Sequence, residues 1–173
     1  MPSQLLVDYL SRCKVPFELL QHPVAYTAPE VAEAAHIQGA CFAKAVMVKI
    51  ADELAMVVIP AHFHLEPALL SDAFDGRRVR LAVEREFRHR FPRCETGAMP
   101  PIGHLYGVAS YMAPVFDERA DIAFNAGTHT EIIRMAFADF RRLSHADMLD
   151  VGVLPPLAGP AATSAHRRAA LGR

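Results

Sequence analysis

Phe42-Ala43-Lys44-Ala45-Val46-Met47-Val48-Lys49-Ile50, followed by Ala51-Asp52-Glu53 and then Ala55-Met56-Val57-Val58-Ile59, is the stretch that decides the fold. Ala45 to Ile50 and Ala55 to Ile59 are apolar and rich in β-branched residues, and the polar Ala51-Asp52-Glu53 between them reads as the turn of a β-hairpin. In a strand beginning near Phe42, alternate residues face one way. Phe42, Lys44, Val46 and Val48 then share one face, and Ala43, Ala45, Met47 and Lys49 the other. Lys44 stands on an otherwise apolar face. Two readings stay open: a lysine held in a pocket, or one near the strand's start whose stem packs while its ammonium reaches water. Lys49, at the strand's end, reads as a solvent lysine.

Upstream, Leu5, Leu6, Tyr9 and Leu10 fall on one helical face, so residues 3–13 read as an amphipathic helix. Val15 to Leu20 reads as a strand, broken at His22-Pro23. Thr27-Ala28-Pro29-Glu30 has an N-cap threonine, a proline in the first turn and an acid three residues on, the start of a capped helix through Ala35 with Gly39 closing the region. Downstream, Leu65–Phe74 reads as helix, Val79 to Ala82 as strand and Val83–Arg90 as helix. Further strands are expected at Leu105–Val108, Pro114–Phe116, Ile122–Asn125 and Glu131–Met135. Short helices are expected at Ala138–Leu143 and His145–Leu149. Strands and helices intermix without a repeating unit. The class is therefore α+β or mixed α/β: one domain over residues 1–150, with a central, mostly antiparallel sheet of at least five strands flanked by short helices. Residues 151–173, rich in Pro and Ala, read as a flexible tail with a basic His166-Arg167-Arg168 near its end.

The chain has 173 residues and a hydrophobic fraction of 52%, enough for one domain with a core of its own. Its 18 basic and 19 acidic residues give a net charge of −1. That balance argues against a general nucleic-acid binder and leaves room for local contact with one end of an RNA. Affinity for bulk duplex is expected to be weak, with Arg77, Arg78 and Arg80, or Arg134, carrying what binding there is. Cys13, Cys41 and Cys94 form neither a disulfide framework nor a CxxC knuckle, so a reducing cytoplasm is the expected location. No signal peptide and no run of roughly 20 apolar residues is seen, so no membrane partner is expected.

Three further segments carry possible chemistry. Gly97-Ala98-Met99-Pro100-Pro101-Ile102-Gly103 combines glycines that permit close backbone approach with rigid prolines. Such a loop either presents amides to a carbonyl oxygen or is a plain tight connection. Asn125-Ala126-Gly127-Thr128-His129 reads as turn chemistry between two strands, with His129 a general base, a ligand or simply a turn residue. His62 and His64 stand two apart with Glu66 near, a spacing compatible with zinc, but no third ligand stands out and no metal is expected. A nucleophile elbow, a Walker loop and a dinucleotide fingerprint are absent.

Taken in order over roughly residues 1–145, these segments resemble the YbaK / prolyl-tRNA synthetase-associated domain family. The resemblance rests on Tyr26-Thr27-Ala28-Pro29-Glu30, the lysine strand Phe42-Ala43-Lys44-Ala45-Val46, Gly97 to Pro101, Asn125-Ala126-Gly127 and Asp139-Phe140. It implies hydrolysis of the ester joining an amino acid to the 3′-terminal ribose of tRNA, with no cofactor. It implies catalytic roles for Lys44, Gly97 and Pro101, and substrate contacts from Met99, Pro100, Gly103, Asn125, Gly127 and His129. Lys44, the 97–103 loop and Gly127 should therefore line one cleft. The implied partners are the 3′ end of a mischarged tRNA and an aminoacyl-tRNA synthetase; DNA is not among them. Met99 and the double proline depart from members with small polar residues there, so the amino acid removed does not transfer. The competing reading is a non-catalytic module of the same fold that binds an aminoacyl end or a small ligand.

Overall fold

The computed structural model describes residues 1–150 and 153–154. Helix α1 (Gln4–Arg12) buries Leu6 and Leu10, the two leucines of its apolar stripe that reach the core. Strand β1 (Phe17–Gln21) follows. Helix α2 (Ala28–Ala34) opens as expected: the Thr27 hydroxyl accepts from the Glu30 amide while the Glu30 carboxylate accepts from the Thr27 amide. The hairpin strands are β2 (Phe42–Ile50) and β3 (Glu53–Pro60), longer at both outer ends than the apolar runs alone suggest. Then come β4 (His64–Leu65), α3 (Pro67–Asp72), β5 (Val79–Leu81) and α4 (Glu84–Phe87). The chain continues through β6 (Ala109–Met112), β7 (Asp121–Thr128), β8 (Glu131–Ala136), α5 (Phe137–Ser144), β9 (Asp147–Met148) and β10 (Val153–Leu154).

The main sheet runs β1-β8-β7-β2-β3-β6-β9, with β5 added antiparallel to the far end of β2. The hairpins β2–β3 and β7–β8 and the β1–β8 pair are antiparallel. Three pairings, β2–β7, β3–β6 and β6–β9, are parallel. The parallel β2–β7 pairing joins the two hairpins and sets the site.

Alternation along β2 sorts its side chains as the sequence indicates. Ala43 and Met47 enter the largest core, with Leu6 and Leu10 of α1, Phe87 of α4, and Phe137 and Phe140 of α5. Phe42 faces the other way, into a smaller cluster under α2 with Val31, Ala123 and Ile132. Val48 and Ile50 meet Leu70 of α3 on that same side. The sheet is thus covered on both faces, and the α+β, mixed α/β class holds.

Several local expectations differ. Leu105 and Tyr106, the first half of the segment expected to be strand, belong to a 3-10 turn over Gly103–Tyr106 ended by Gly107 in the left-handed region, and the strand begins only at Ala109. Pro114–Phe116 is not a strand. Asp147–Met148 forms β9 rather than helix, because Tyr111 and Met112 of β6 offer it a pairing edge. The Leu65–Phe74 helix is trimmed to α3 because His64–Leu65 pairs with β10. Gly39 does not close α2, which ends at Ala34 with Ala35 as its cap; it opens a 3-10 turn against the His62 ring. Apart from Val153–Leu154, the 151–173 segment with His166-Arg167-Arg168 lies outside the described residues.

Candidate active site

Lys44 is half-buried on β2, and its ammonium donates to the Ala61 carbonyl at 2.9 Å. Burial pushes its pKa below the ordinary lysine value of 10.5, because desolvation penalises the charged form. The side chain therefore does not reach freely into water; its ammonium is turned to a backbone carbonyl. A lysine with ¹³C-labelled Cε at position 44 is expected to titrate with a midpoint below 10.5 by NMR. An unshifted midpoint would contradict the desolvation described here.

The late glycine segment is a bulge rather than a turn. Asn125, Ala126 and Gly127 all belong to β7, whose register against β8 shifts between Asn125 and Thr128. The reversal falls at His129–Thr130. A bulge re-aims side chains next to it, and here it brings β7 against the 95–97 segment. The Glu95 amide donates to the Gly127 carbonyl at 2.9 Å, and the His129 amide donates to the Glu95 carboxylate at 2.6 Å. Gly97 sits at φ +91°, and the Asn125 side-chain amide donates to its carbonyl at 3.4 Å. The Tyr26 ring lies 5.0 Å from that of His129. Residues from three distant segments thus meet at one place.

Hydrogen-bond directions fix what two of these side chains offer. His129 Nε2 lies 3.1 Å from the Thr96 carbonyl, which only accepts, so Nε2 is the donor there, and in the neutral ring Nδ1 then presents a lone pair. That Nδ1 is buried with no partner among the described residues. Asn125, donating through Nδ2, presents its Oδ1 likewise buried and unpartnered. Two acceptors therefore flank Gly97. Buried acceptors without donors cost free energy, and such a pair suits a ligand rich in N–H or O–H.

Lys44 is placed relative to this group by the parallel register. The last recorded β2–β7 pairs are Phe42 with Ala123 and Ala43 with Phe124. The next residues along are Lys44 and Asn125. Both lie on the face of Phe42, Ala123 and Ile132, since Asn125 pairs with Ile132.

The rest of the proline loop is less available. Met99 belongs to the main core, and Pro100 and Pro101 are buried. The Ala98 amide is committed to the Glu95 carbonyl. The Gly97 amide has only the Met99 thioether, at 3.2 Å, a weak acceptor that an oxygen can displace. Gly103 lies apart from this group, in the 3-10 turn, where a Cβ would come 2.7 Å from the Val108 carbonyl oxygen. Its missing side chain serves packing. Lys49 is half-buried and its ammonium donates to the Asp52 carbonyl, on the opposite face from Lys44. His62 packs on Gly39 and Phe63, and no cluster of three potential metal ligands occurs among the described residues. Glu95 and Thr96, which fix His129, were not anticipated; only their position beside Gly97 pointed to them.

Comparison with known proteins bears on this geometry. A family model described as the aminoacyl-tRNA editing domain matches residues 22–143, a span that contains Tyr26, Lys44, Gly97, Asn125 and His129. The chain belongs to that family. No curated protein matches this editing domain. Among solved structures, it is similar to a hypothetical protein, with a TM-score of 0.74 at 18% identity over 86% of this chain and 99% of the other. It is also similar to a candidate trans-editing enzyme for prolyl-tRNA synthetase, with a TM-score of 0.73 at 17% identity over 86% and 94% of the two chains. A candidate signal transduction protein from Marinobacter aquaeolei gives a TM-score of 0.66 at 17% identity, the match spanning 89% of this chain and 31% of that one. At these identities the structural likeness concerns the fold. No helix among the described residues is long and apolar enough to cross a membrane.

Proposed function

We propose that this editing domain, folded from residues 1–150, is a trans-editing hydrolase of the cytoplasm that cleaves the ester between an amino acid and the 3′-terminal ribose of a mischarged tRNA. The observation that carries the reading is the grouping of Gly97, Asn125 and His129 beside the strand position of a half-buried lysine. An aminoacyl ester offers what these groups lack. Its α-ammonium and ribose hydroxyl are donors for Asn125 Oδ1 and His129 Nδ1. Its carbonyl oxygen is a better acceptor for the Gly97 amide than the Met99 sulfur. As water adds to the carbonyl carbon, negative charge grows on that oxygen, where an amide and a nearby ammonium stabilise it. Collapse expels the ribose oxygen, which takes a proton, and releases the free amino acid. The ester is already activated, so no side-chain nucleophile is needed. Lys44 serves as cation for the oxyanion or for the terminal phosphate, and Pro101 holds the loop. An aminoacyl-tRNA synthetase is the natural companion of such an activity.

The test is a panel of tRNAs charged with cysteine, alanine, serine and other small amino acids. Release of the amino acid from at least one, above the spontaneous rate, is expected. Tight binding of a charged tRNA without release from any would replace this reading with the non-catalytic module.

A further inference from the structure

Of the chain's ten phenylalanines and four tyrosines, Tyr26 alone is exposed, with 68% of its surface open to solvent. A single exposed apolar side chain is ordinary, but this one is held in place. The Tyr26 amide donates to the Glu30 carboxylate at 3.3 Å, and the amide of the preceding Ala25 donates to the His129 carbonyl at 3.2 Å. The Tyr26 ring lies against His129, with centroids 5.0 Å apart and planes at 59°. The Tyr26 carbonyl oxygen stands 3.8 Å from where a Cβ on Gly97 would lie. The segment is thus fastened to the candidate active site while its ring remains largely in solvent. Aromatic rings stabilise a fold chiefly by being buried, so the core does not account for this one.

Tyr26 also lines a groove of about 380 Å³, with Val24, Ala25, Glu30, Glu33 and Ala34. The groove and the candidate site therefore meet at this residue. The charged groups of the groove are both carboxylates: Glu30, which accepts from the Tyr26 and Thr27 amides, and the exposed Glu33. No cation lines it. A phosphate is repelled there, whereas a neutral planar group carrying N–H donors finds an aromatic ring and an acceptor. The proposed substrate carries such a group. Its scissile ester is borne by the terminal ribose, and the terminal nucleobase is joined to that same sugar. With the ester carbonyl at the Gly97 amide, the base falls within about one sugar's width. That range takes in the Tyr26 ring, which is separated from Gly97 by a single histidine.

We infer that Tyr26 is the platform on which the terminal nucleobase of the charged tRNA stacks, beside the groove it forms with α2. Stacking on an aromatic ring is the usual way a protein holds an unpaired base. The base at the 3′ end of a tRNA is adenine, and the Glu33 carboxylate stands in the same groove as an acceptor for its exocyclic amino group. The inference rests on the proposed function for its substrate, and one arm of its test does not depend on turnover.

Hydrolysis is compared on two esters of one amino acid, the adenosine ester and the methyl ester, which has no base. Wild type is expected to show the lower KM on the adenosine ester. In Tyr26→Ala that preference should shrink by about tenfold, the order of loss when an aromatic stacked on a base is removed. The change should fall on KM, with kcat for the adenosine ester little altered. Tyr26→Phe keeps the ring and should keep the preference. No preference in wild type, an undiminished preference in Tyr26→Ala, or an equal loss in Tyr26→Phe overturns the platform. So does a matching fall of kcat on both esters, which would mean that the ring only supports His129. The second arm titrates adenosine into protein with ¹³C-labelled tyrosines, where the ring resonances missing from Tyr26→Phe identify Tyr26. Those resonances should move upfield with adenosine and stay in place with ribose alone. If wild type hydrolyses neither ester yet Tyr26 shifts with adenosine, the platform stands and the hydrolase reading falls. Unshifted Tyr26 resonances overturn the platform whatever the esters show.

Discussion

Lys44→Ala is expected to slow amino acid release from a mischarged tRNA by about 10²–10³, the usual cost of losing one contact to a developing oxyanion or its anchor. The fold should persist. Lys44 is half-buried, its one hydrogen bond is to the Ala61 carbonyl, and its ammonium already bears a desolvation penalty that truncation removes. Lys44→Arg should also be poor, because a planar fork does not fit where a compact ammonium reaches one carbonyl. Lys49→Ala is the internal control. Lys49 stands on the other face of the same strand, turned to the Asp52 carbonyl, so its loss should leave the rate nearly unchanged. Single-turnover rates on a confirmed substrate decide the matter. Wild-type turnover by Lys44→Ala would remove the lysine from the site.

Gly127→Ala carries the second large effect, on stability and rate together. Gly127 holds φ +109°, a region closed to L side chains without strain. An added Cβ would lie 3.2 Å from Ser3 N and Cβ and 3.4 Å from Cys94 Sγ. The neighbours cannot yield easily. The Ser3 amide is bonded to the Ala126 carbonyl at 2.6 Å, and the Ser3 hydroxyl to Tyr106 at 3.0 Å. Strain of this kind costs about 1–3 kcal/mol, or about 2–4 °C of melting temperature per kcal/mol for a chain of this size. The bulge also aims Asn125 and His129, so activity should fall in the protein that remains folded. A thermal melt and an assay below the transition separate the two effects. An unchanged melting temperature would show that the bulge tolerates a side chain.

The sequence shows most clearly what local chemistry controls. Thr27 and Glu30 satisfy each other's backbone amides whatever else surrounds them, so α2 opens where its capping residues place it. The β-branched runs 45–50 and 55–59 find each other across three residues, and Lys44 is conspicuous there because its neighbours two residues away on that face are apolar. Where a segment's state depends on a distant partner, the local signal misleads. Asp147–Met148 is a strand only because β6 presents a free edge, and residues 103–106 coil because Gly103 must pack against Val108. Asn125-Ala126-Gly127 has turn residues, yet β8 pairs on both sides of it and leaves a bulge. The arginines of residues 77–93 are equivalent as letters. Which of them are paired depends on where Glu53, Glu84 and Glu86 come to lie.

By itself the sequence determined an α+β domain, a family resemblance and a short set of unusual residues, because capping, strand alternation and glycine content act over a few residues. Only the tertiary structure decided that Lys44 and Asn125 share one face of the sheet and that Gly103 is a packing glycine. Those relations depend on the parallel pairing of β2 with β7, two strands some eighty residues apart (Phe42 with Ala123, Ala43 with Phe124). No local pattern specifies such a register. It is fixed by burying both hairpins in shared cores, Phe124 against α5 on one side and Ala123 under α2 on the other.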